Sequence, residues 1–189
     1  MNLKCHVVSD DSFFLSGFRD SMNFTTKFAV EFYNANLMKR KFHPSPGDLV
    51  IIVLKNVHLR HYYLSQFDLT HCRVIIIQDV PFENINMKDF PWLLPKNINM
   101  ESFSKFINKA MRTYVFYDEV VHRTLRVFRQ LSHGKSIGDI SSELKVCKQD
   151  VYKIRRQVFL RYGLDKCNPF VGVLLCRDIL KVKAPFMNS

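Results

Sequence analysis

The stretch that decides the fold of the C-terminal part spans residues 131–163 and reads LSHGKSIGDISSELKVCKQDVYKIRRQVFLRYG. Its glycines predict two helix ends, because Gly134 and Gly163 suit the left-handed backbone that closes a helix. Ser136 followed three residues later by Asp139 is typical of a capped helix start. The stretch therefore predicts the end of one helix, a turn, a short helix, a second turn and a longer helix.

The longer helix combines an apolar stripe with a basic face. Val151, Ile154 and Val158 follow the three- and four-residue spacing of a buried stripe, and residues 145–161 contain six basic residues and one acid. Such a charge run is usually a solvated helix face, but two helices followed by a basic helix is the arrangement that enters a DNA major groove. We therefore expect DNA contacts from Lys148, Gln149, Asp150, Tyr152, Lys153, Arg155, Arg156 and Arg161.

The composition of the whole chain agrees with an anionic partner. Its 189 residues include 28 Lys and Arg against 17 Asp and Glu, a net charge of +11, which favours nucleic acid first and a membrane surface second. The five cysteines form no CxxC pair and no Cys/His metal spacing, which predicts no metal site and suits a reducing cytoplasm. The longest strongly apolar run, 49–54, is far too short to cross a bilayer. We expect a cytoplasmic protein without a membrane partner.

Apolar runs in the first part of the chain predict strands that are buried on both faces, because the runs are unbroken and mostly aliphatic. They lie at 47–54, 73–78 and 92–94, and a short apolar-rich run at 3–8 precedes them. Residues 28–33 fit a strand or a helix. Helical stretches alternate with the strands, and this alternation implies a doubly wound α/β fold.

We therefore predict a doubly wound α/β domain at 1–111, a linker at 112–118 and an all-α helix-turn-helix domain at 119–183. The last helix has Asn168 as its cap and Pro169 in its first turn. Its apolar stripe is expected to be partly core and partly a dimer seam, because a terminal helix on a small three-helix unit has little else to cover it. The residues assigned to this dimer helix are Phe170, Val173, Leu174 and Arg177.

The C-terminal spacing resembles that of LuxR/NarL-type helix-turn-helix domains. The matched positions are Arg123, Leu131, Gly134, Ser136, Asp139, Ile140, Ser141, Leu144, Val146, Cys147, Val151, Arg156, Arg161, Tyr162, Gly163 and Leu164. The resemblance implies that the helix at 148–162 enters the major groove and that the helix at 168–181 pairs two domains. The family usually has Lys-Thr where this chain has Gln149-Asp150, and His at Ile154, so its base contacts do not all transfer.

The first 110 residues look like the receiver domain that precedes this module in two-component response regulators. The resemblance places the phosphoacceptor position at Val53, which has no oxygen to accept a phosphoryl group or to bind Mg²⁺. The family's acidic pair, switch residue and lysine fall on Ser9-Asp10 or Asp10-Asp11, on Ile77 or Gln78, and on Lys96. The resemblance therefore implies a degenerate receiver of the enterobacterial orphan-regulator kind, which aspartyl phosphorylation does not switch.

Together these patterns predict a bacterial transcription regulator that binds double-stranded promoter DNA as a homodimer, or as a heterodimer with another regulator. Fimbrial, surface-structure, stress or virulence genes are the candidate targets. No nucleophile–base constellation indicates an enzyme, and no cofactor is expected. The alternative is a protein-interaction modulator that joins a true response regulator through its first domain and binds little DNA itself. A ligand-sensing first domain also stays open.

Overall fold

A computed structural model of the chain describes residues 3–23, 29–37, 42–66, 69, 71–81, 90–113 and 122–183. The strands are β1 (Lys4–Ser9), β2 (Ala29–Asn34), β3 (Leu49–Val53), β4 (Arg73–Gln78) and β5 (Trp92–Pro95). The helices are α1 (Ser12–Asn23), α2 (Val57–Gln66), α3 (Met100–Arg112), α4 (His122–Ser132), α5 (Ile137–Leu144), α6 (Lys148–Arg161) and α7 (Pro169–Lys183). Most of the predicted linker, and the start of the segment predicted at 119–183, lie outside the described residues.

The five strands form one parallel sheet in the order β2-β1-β3-β4-β5. The central strand is β3, where Ile51 pairs with Val7 of β1 on one side and with Ile75 of β4 on the other. Every residue of β3 is buried, as expected for a parallel strand with both faces covered. The order is that of flavodoxin-like doubly wound sheets. The predicted α/β fold is confirmed, and residues 29–33 of the ambiguous run form a strand.

Helices α1 and α3 are anchored by local caps and share one face of the sheet. The Asp11 carboxylate accepts the backbone N–H of Phe14 at 3.1 Å at the start of α1. The Asn99 side chain caps α3, as predicted. The ring centres of Phe18 in α1 and Phe103 in α3 are 5.2 Å apart, which places both helices on the same side.

Helix α2 was not predicted from the sequence. It begins after Asn56, whose Oδ1 accepts the backbone N–H groups of His58 at 2.9 Å and Leu59 at 3.2 Å. This is an ordinary side-chain cap, but the helix that it starts lacks a clear apolar stripe because it packs partly through polar groups.

Helices α4, α5 and α6 enclose a small core of their own. Val127, Ile140 and Val151 are its fully buried members, and the half-buried residues around them are Leu131, Ile137, Leu144, Val146 and Ile154. Val151 and Ile154 belong to this core and Val158 is also buried, so the predicted apolar stripe of the long helix is confirmed. A second and larger cluster of buried residues runs without a break from the sheet into α6 and α7.

The expectation that α7 has little to cover it is wrong. Helix α2 packs along α7, and Arg60 Nε of α2 donates to Asp178 Oδ2 of α7 at 2.8 Å. Both side chains are buried. Tyr162, at the end of α6, donates from its hydroxyl to the Phe90 carbonyl oxygen at 3.3 Å. The physical reason for the α2 contact is that a carboxylate buried as deeply as that of Asp178 needs a cationic partner.

None of the helices in the described part of the chain combines the length and the apolar character needed to cross a membrane.

Candidate nucleic-acid interface

A tight turn joins α5 to α6 and sets the direction in which α6 leaves. Lys145 closes α5 with a left-handed backbone, φ 52°, and Ser141 Oγ donates to the Val146 carbonyl oxygen at 2.6 Å. Cys147 is the N-cap of α6, because its Sγ accepts the backbone N–H of Asp150 at 3.3 Å. A left-handed turn residue, a hydrogen bond across the turn and a side-chain cap together fix the angle between α5 and α6.

The predicted helix ends on either side of this turn are confirmed. Ser136 Oγ accepts the backbone N–H of Asp139 at 3.1 Å and donates to its carboxylate at 2.6 Å. Gly134 and Gly163 have φ angles of 76° and 64°, in the region that an L side chain rarely adopts. The boundaries of α5 and α6 thus follow from residues within a few positions of each end.

Helix α6 has one buried face and one exposed face. Its buried residues are Val151, Val158 and Phe159. The side chains on the exposed face are Lys148, Gln149, Tyr152, Lys153, Arg156, Gln157, Leu160 and Arg161. Asp150 and Arg155 are half-buried at its margin. Six of the eight predicted contact residues therefore lie on a single accessible surface.

Positive charge on this surface is largely uncompensated. Lys148, Lys153, Arg155 and Arg156 have no acidic partner in the part of the chain that the structure describes. The Arg155 guanidinium carbon lies 5.5 Å from the centre of the Tyr152 ring, a contact that orders the side chain without neutralising it. Three such cations on the exposed face, with Arg155 at its margin, attract a polyanion such as nucleic acid because no acidic partner among the described residues neutralises them.

Asp150 differs from its neighbours because it lies in the first turn of α6. The positive end of the helix dipole favours an acid at this position. The side chain is half-buried at the edge of the basic surface. Its interaction with the positive end of α6 accounts for its presence without a role in binding.

The sequence-based assignment missed two exposed residues beside the same surface. Lys145 lies in the turn before α6, and Gln157 lies on the exposed face itself. Gln157 is four residues after Lys153, so helical spacing was the signal that could have found it. Lys145 had no such signal, because its exposure depends on the left-handed turn.

The carboxyl edge of the sheet holds the degenerate phosphoacceptor position. Val53 is buried at the end of β3, and Ser9 Oγ donates to its carbonyl oxygen at 2.8 Å. The Asp10 carboxylate accepts the backbone N–H groups of Lys55 at 3.1 Å and Asn56 at 2.7 Å. Asp10 therefore fixes the loop that leads into α2.

Asp11 is bound to cations of the protein itself. Its Oδ2 lies 2.9 Å from Lys55 Nζ and 3.8 Å from Lys96 Nζ. The hydrogen bond from Lys55, followed by the backbone N–H of Phe14, holds the pKa of Asp11 at about 2. Asp11 thus caps α1 as well as binding these lysines. Within the described residues, no three His, Cys, Asp or Glu side chains are grouped as possible metal ligands.

Gln78, at the end of β4, connects this edge to the C-terminal helices. Its Nε2 donates to the Leu54 carbonyl oxygen at 3.0 Å, and its Oε1 accepts from Arg60 Nη1 at 2.9 Å. The same guanidinium binds Asp178. A continuous hydrogen-bonded path thus runs from the sheet edge through α2 to α7.

The four residues assigned to the dimer helix have different surroundings. Phe170 is 56% exposed and Val173 only 5%, while Leu174 is half-buried. Arg177 donates to Asp178 Oδ1 at 2.6 and 2.8 Å. Only the first turn of α7, where Val171 is also exposed, still presents apolar surface to a second molecule.

No protein-family model and no curated protein matches this chain. Among solved structures it is similar to a DNA complex of the two-component response regulator RcsB, at 14% identity, with 93% of this chain and 98% of that chain covered and a TM-score of 0.43. It is also similar to RcsB from Salmonella enterica serovar Typhimurium bound to promoter rprA, at 14% identity, 92% and 98% coverage and a TM-score of 0.38. A third is the response regulator ChrA of a heme-sensing two-component system, at 12% identity, 94% and 98% coverage and a TM-score of 0.39. The neighbours are response regulators, but likenesses this distant carry nothing about what the present chain binds.

Proposed function

We propose that this chain is a bacterial transcription regulator that binds double-stranded DNA through α6, as a dimer and independently of aspartyl phosphorylation. The observation that carries the proposal is the exposed face of α6, which with its margin carries four uncompensated cations and is held by a capped short helix and a tight turn. Lys and Arg that neutralise phosphates supply the sequence-independent part of DNA affinity. No bond-making chemistry is required.

Different side chains of α6 take different parts in this binding. Lys148 and Lys153 are suited to phosphates as flexible point charges, whereas the planar forks of Arg155 and Arg156 suit guanine edges or bidentate phosphate contacts. Gln149, near the exposed start of α6, is the residue suited to adenine. We therefore assign recognition of the base sequence to the first half of α6. The lysines, which contact phosphates, set the position of the protein along the duplex.

Two observations support independence from phosphorylation. The Val53 side chain offers no acceptor oxygen, and the side-chain oxygens of Ser9, Asp10 and Asp11 at the same sheet edge already bind protein groups. The exposed face of α6 is also accessible while α2 is packed on α7. DNA access therefore needs no prior release of the C-terminal helices.

Dimer formation is assigned to α7, with Phe170 as the residue that contributes most. The contribution of Val173, Leu174 and Arg177 is indirect: they are more buried than Phe170 and hold α7 in place within the chain. Two copies related by a two-fold axis would read half-sites about one helical turn apart. The partner is a second copy of this chain or another regulator of the same architecture.

The test compares two double variants that lose the same charge. R155A/R156A removes two cations from α6, and K105A/K109A removes two exposed lysines from α3. Binding to a labelled duplex of arbitrary sequence is measured by fluorescence anisotropy over a range of salt concentrations. We expect R155A/R156A to weaken binding by about 10- to 100-fold and to reduce the slope of log K against log salt by up to about 2. K105A/K109A should change both far less.

Equal effects of the two variants would show that net charge, not α6, governs binding. A wild-type chain without measurable DNA affinity would favour the alternative, a modulator that acts by pairing with a true response regulator; Gln149 and Asp150 motivate it. Incubation with acetyl phosphate, followed by intact-mass measurement, should leave the mass unchanged. An added phosphoryl group on an aspartate would refute phosphorylation independence.

A further inference from the structure

A groove of about 400 Å³ lies where α2, α4 and α7 meet. The residues that line it are His61 and Ser65 from α2, Leu125 and Arg129 from α4, His133 from the turn that follows α4, and Arg177 and Lys181 from α7. None of these lining residues belongs to α5 or α6. The groove is therefore separate from the exposed face of α6, and a ligand bound in it would not depend on DNA binding by that face.

Helical geometry makes these side chains converge. Three pairs share this geometry, and the members of each are four residues apart on one side of their helix: His61 and Ser65 in α2, Leu125 and Arg129 in α4, and Arg177 and Lys181 in α7. Three helix faces, together with His133 from the turn after α4, thus define the groove. Its width depends on the packing of α2 and α4 against α7.

The charge of the groove is strongly positive. Asp178 lies behind it, and its carboxylate is already bound by Arg60, His61 and Arg177. Arg129 and Lys181 are exposed and have no acidic partner in the described part of the chain. No Asp or Glu lines the groove. Like charges held together in this way repel one another, and an anion between them relieves the repulsion.

We propose that this groove binds a small organic phosphate. Arg forks bind phosphate oxygens in a bidentate manner, Lys adds a point charge, and the imidazole of His133 adds a further donor. Leu125 supplies an apolar wall for the organic part. The volume is within the usual range for small-molecule sites, about 300–1,000 Å³. It exceeds what a lone phosphate ion needs, which favours a phosphorylated metabolite or a nucleotide.

Such a ligand would also strengthen the contact between α2 and the C-terminal helices. It touches α2 on one side and α4 and α7 on the other, so it binds the packed arrangement and not a separated one. A ligand that binds only the packed state raises its stability by mass action. Binding should therefore be visible as a rise in the thermal midpoint.

The test uses the full chain with two probes, inorganic pyrophosphate and adenosine diphosphate, at constant ionic strength. Affinity is measured by calorimetry and the thermal midpoint by circular dichroism. R129A/K181A removes the two free cations of the groove. R123A/R126A is the matched control, because both of its arginines are exposed on α4 and neither lines the groove.

We expect R123A/R126A to bind pyrophosphate like the wild type, and R129A/K181A to bind it at least about tenfold more weakly. All three proteins should have the same circular dichroism spectrum, because the four arginine and lysine positions are exposed. Tighter binding of adenosine diphosphate than of pyrophosphate identifies a nucleotide-like ligand. The reverse order identifies a ligand that is recognised through its phosphates alone.

Three results would overturn the proposal. The first is the absence of both heat and midpoint shift with either probe at millimolar concentration. The second is an equal loss of affinity in R129A/K181A and R123A/R126A, which would indicate unspecific attraction. The third is a loss of DNA affinity in R129A/K181A, without any probe, as large as that of R155A/R156A, because the groove would then be a DNA backbone contact.

Discussion

Replacing Asp178 by asparagine removes a carboxylate that is fully buried and bound by two arginines and a histidine. Its oxygens lie 2.8 Å from Arg60 Nε, 2.9 Å from His61 Nδ1 and 2.6 Å from Arg177 Nη2. The substitution keeps the size of the side chain and removes the charge. We expect a large loss of stability, because the cationic partner from α2 stays buried.

The expected magnitude is determined mainly by Arg60. Its side chain is 3% exposed and its Nη2 has no hydrogen-bond partner, so it cannot turn to water when Asp178 is neutralised. Removing one partner of a buried ion pair costs about 3–5 kcal/mol. Arg177 and His61 are more exposed and add little, because solvent screens their interactions with Asp178. We therefore expect D178N to lower the free energy of unfolding by about 3–5 kcal/mol.

A double-mutant cycle separates this mechanism from simple loss of packing. R60M retains the apolar stem of the arginine and removes the charge, and it should cost about 1–3 kcal/mol, since Gln78 loses a donor and Asp178 keeps two partners. In the R60M background D178N no longer leaves Arg60 unpaired. The coupling between the two substitutions should therefore be at least about 1 kcal/mol.

The assay is urea unfolding followed by two signals. Trp92 is the single tryptophan of the chain and is buried in β5, so its fluorescence reports on the sheet. Far-ultraviolet circular dichroism reports mainly on the helices. Coincident transitions in the wild type would justify a single free energy of unfolding. A D178N cost below about 1 kcal/mol, or the same cost with and without R60M, would refute the reasoning.

Three further predictions concern local contacts. A Cβ at Gly172 would lie 2.7 Å from Cζ of Phe159, so Gly172→Ala should destabilise the folded protein by about 1–2 kcal/mol net of helix propensity. At Gly17 a Cβ meets nothing within 4 Å. Gly17→Ala should therefore stabilise the folded protein by up to about 1 kcal/mol. Ser136→Ala removes the cap of α5 and should cost about 1 kcal/mol. Asp11 has its folded-state pKa lowered from 3.8 to about 2, so its contribution is present above the unfolded value and is lost as pH falls through the folded one. The difference in urea midpoint between the wild type and Asp11→Asn should therefore shrink between about pH 6 and about pH 2.

Each of these has an outcome that contradicts it. Equal effects of alanine at Gly172 and Gly17 would show that Phe159 moves aside without cost. An unchanged unfolding midpoint in Ser136→Ala would mean that water replaces the cap. A midpoint difference for Asp11→Asn that is constant over the acid range would show that the Lys55 and Phe14 contacts do not depress the pKa of Asp11. Urea titrations at fixed pH measure all three.

The success of sequence reasoning varied with the range of the interactions involved. The apolar run of β3 predicted a buried central strand, because burial on both faces leaves no position for a polar residue. Helix α2 was missed, because one of its inward residues is Arg60, which reads as a surface residue. Its partner Asp178 is 118 positions away in the chain, and no periodic pattern contains such a pairing.

The candidate DNA-binding surface shows the same division. Its lysines and arginines were identified because helical spacing alone separates them from Val151 and Val158. Lys145 was missed because a left-handed turn residue cannot be recognised from charge. Val173 was assigned to a stripe that is partly core and partly interface, and which part is buried depends on the packing of distant parts of the chain, such as α2 on α7.

The sequence by itself determined the short helix, the turn and the basic helix between Ser136 and Gly163. The interactions that define them, a side-chain cap, a left-handed glycine and an apolar stripe, act over a few residues. Only the tertiary structure decided that α7 lies against α2 and that a cationic groove forms where these helices meet α4. These features depend on burying Asp178 with Arg60 and on bringing Arg129 close to Lys181. Such pairings arise when separate elements exclude water together, and no local pattern encodes them.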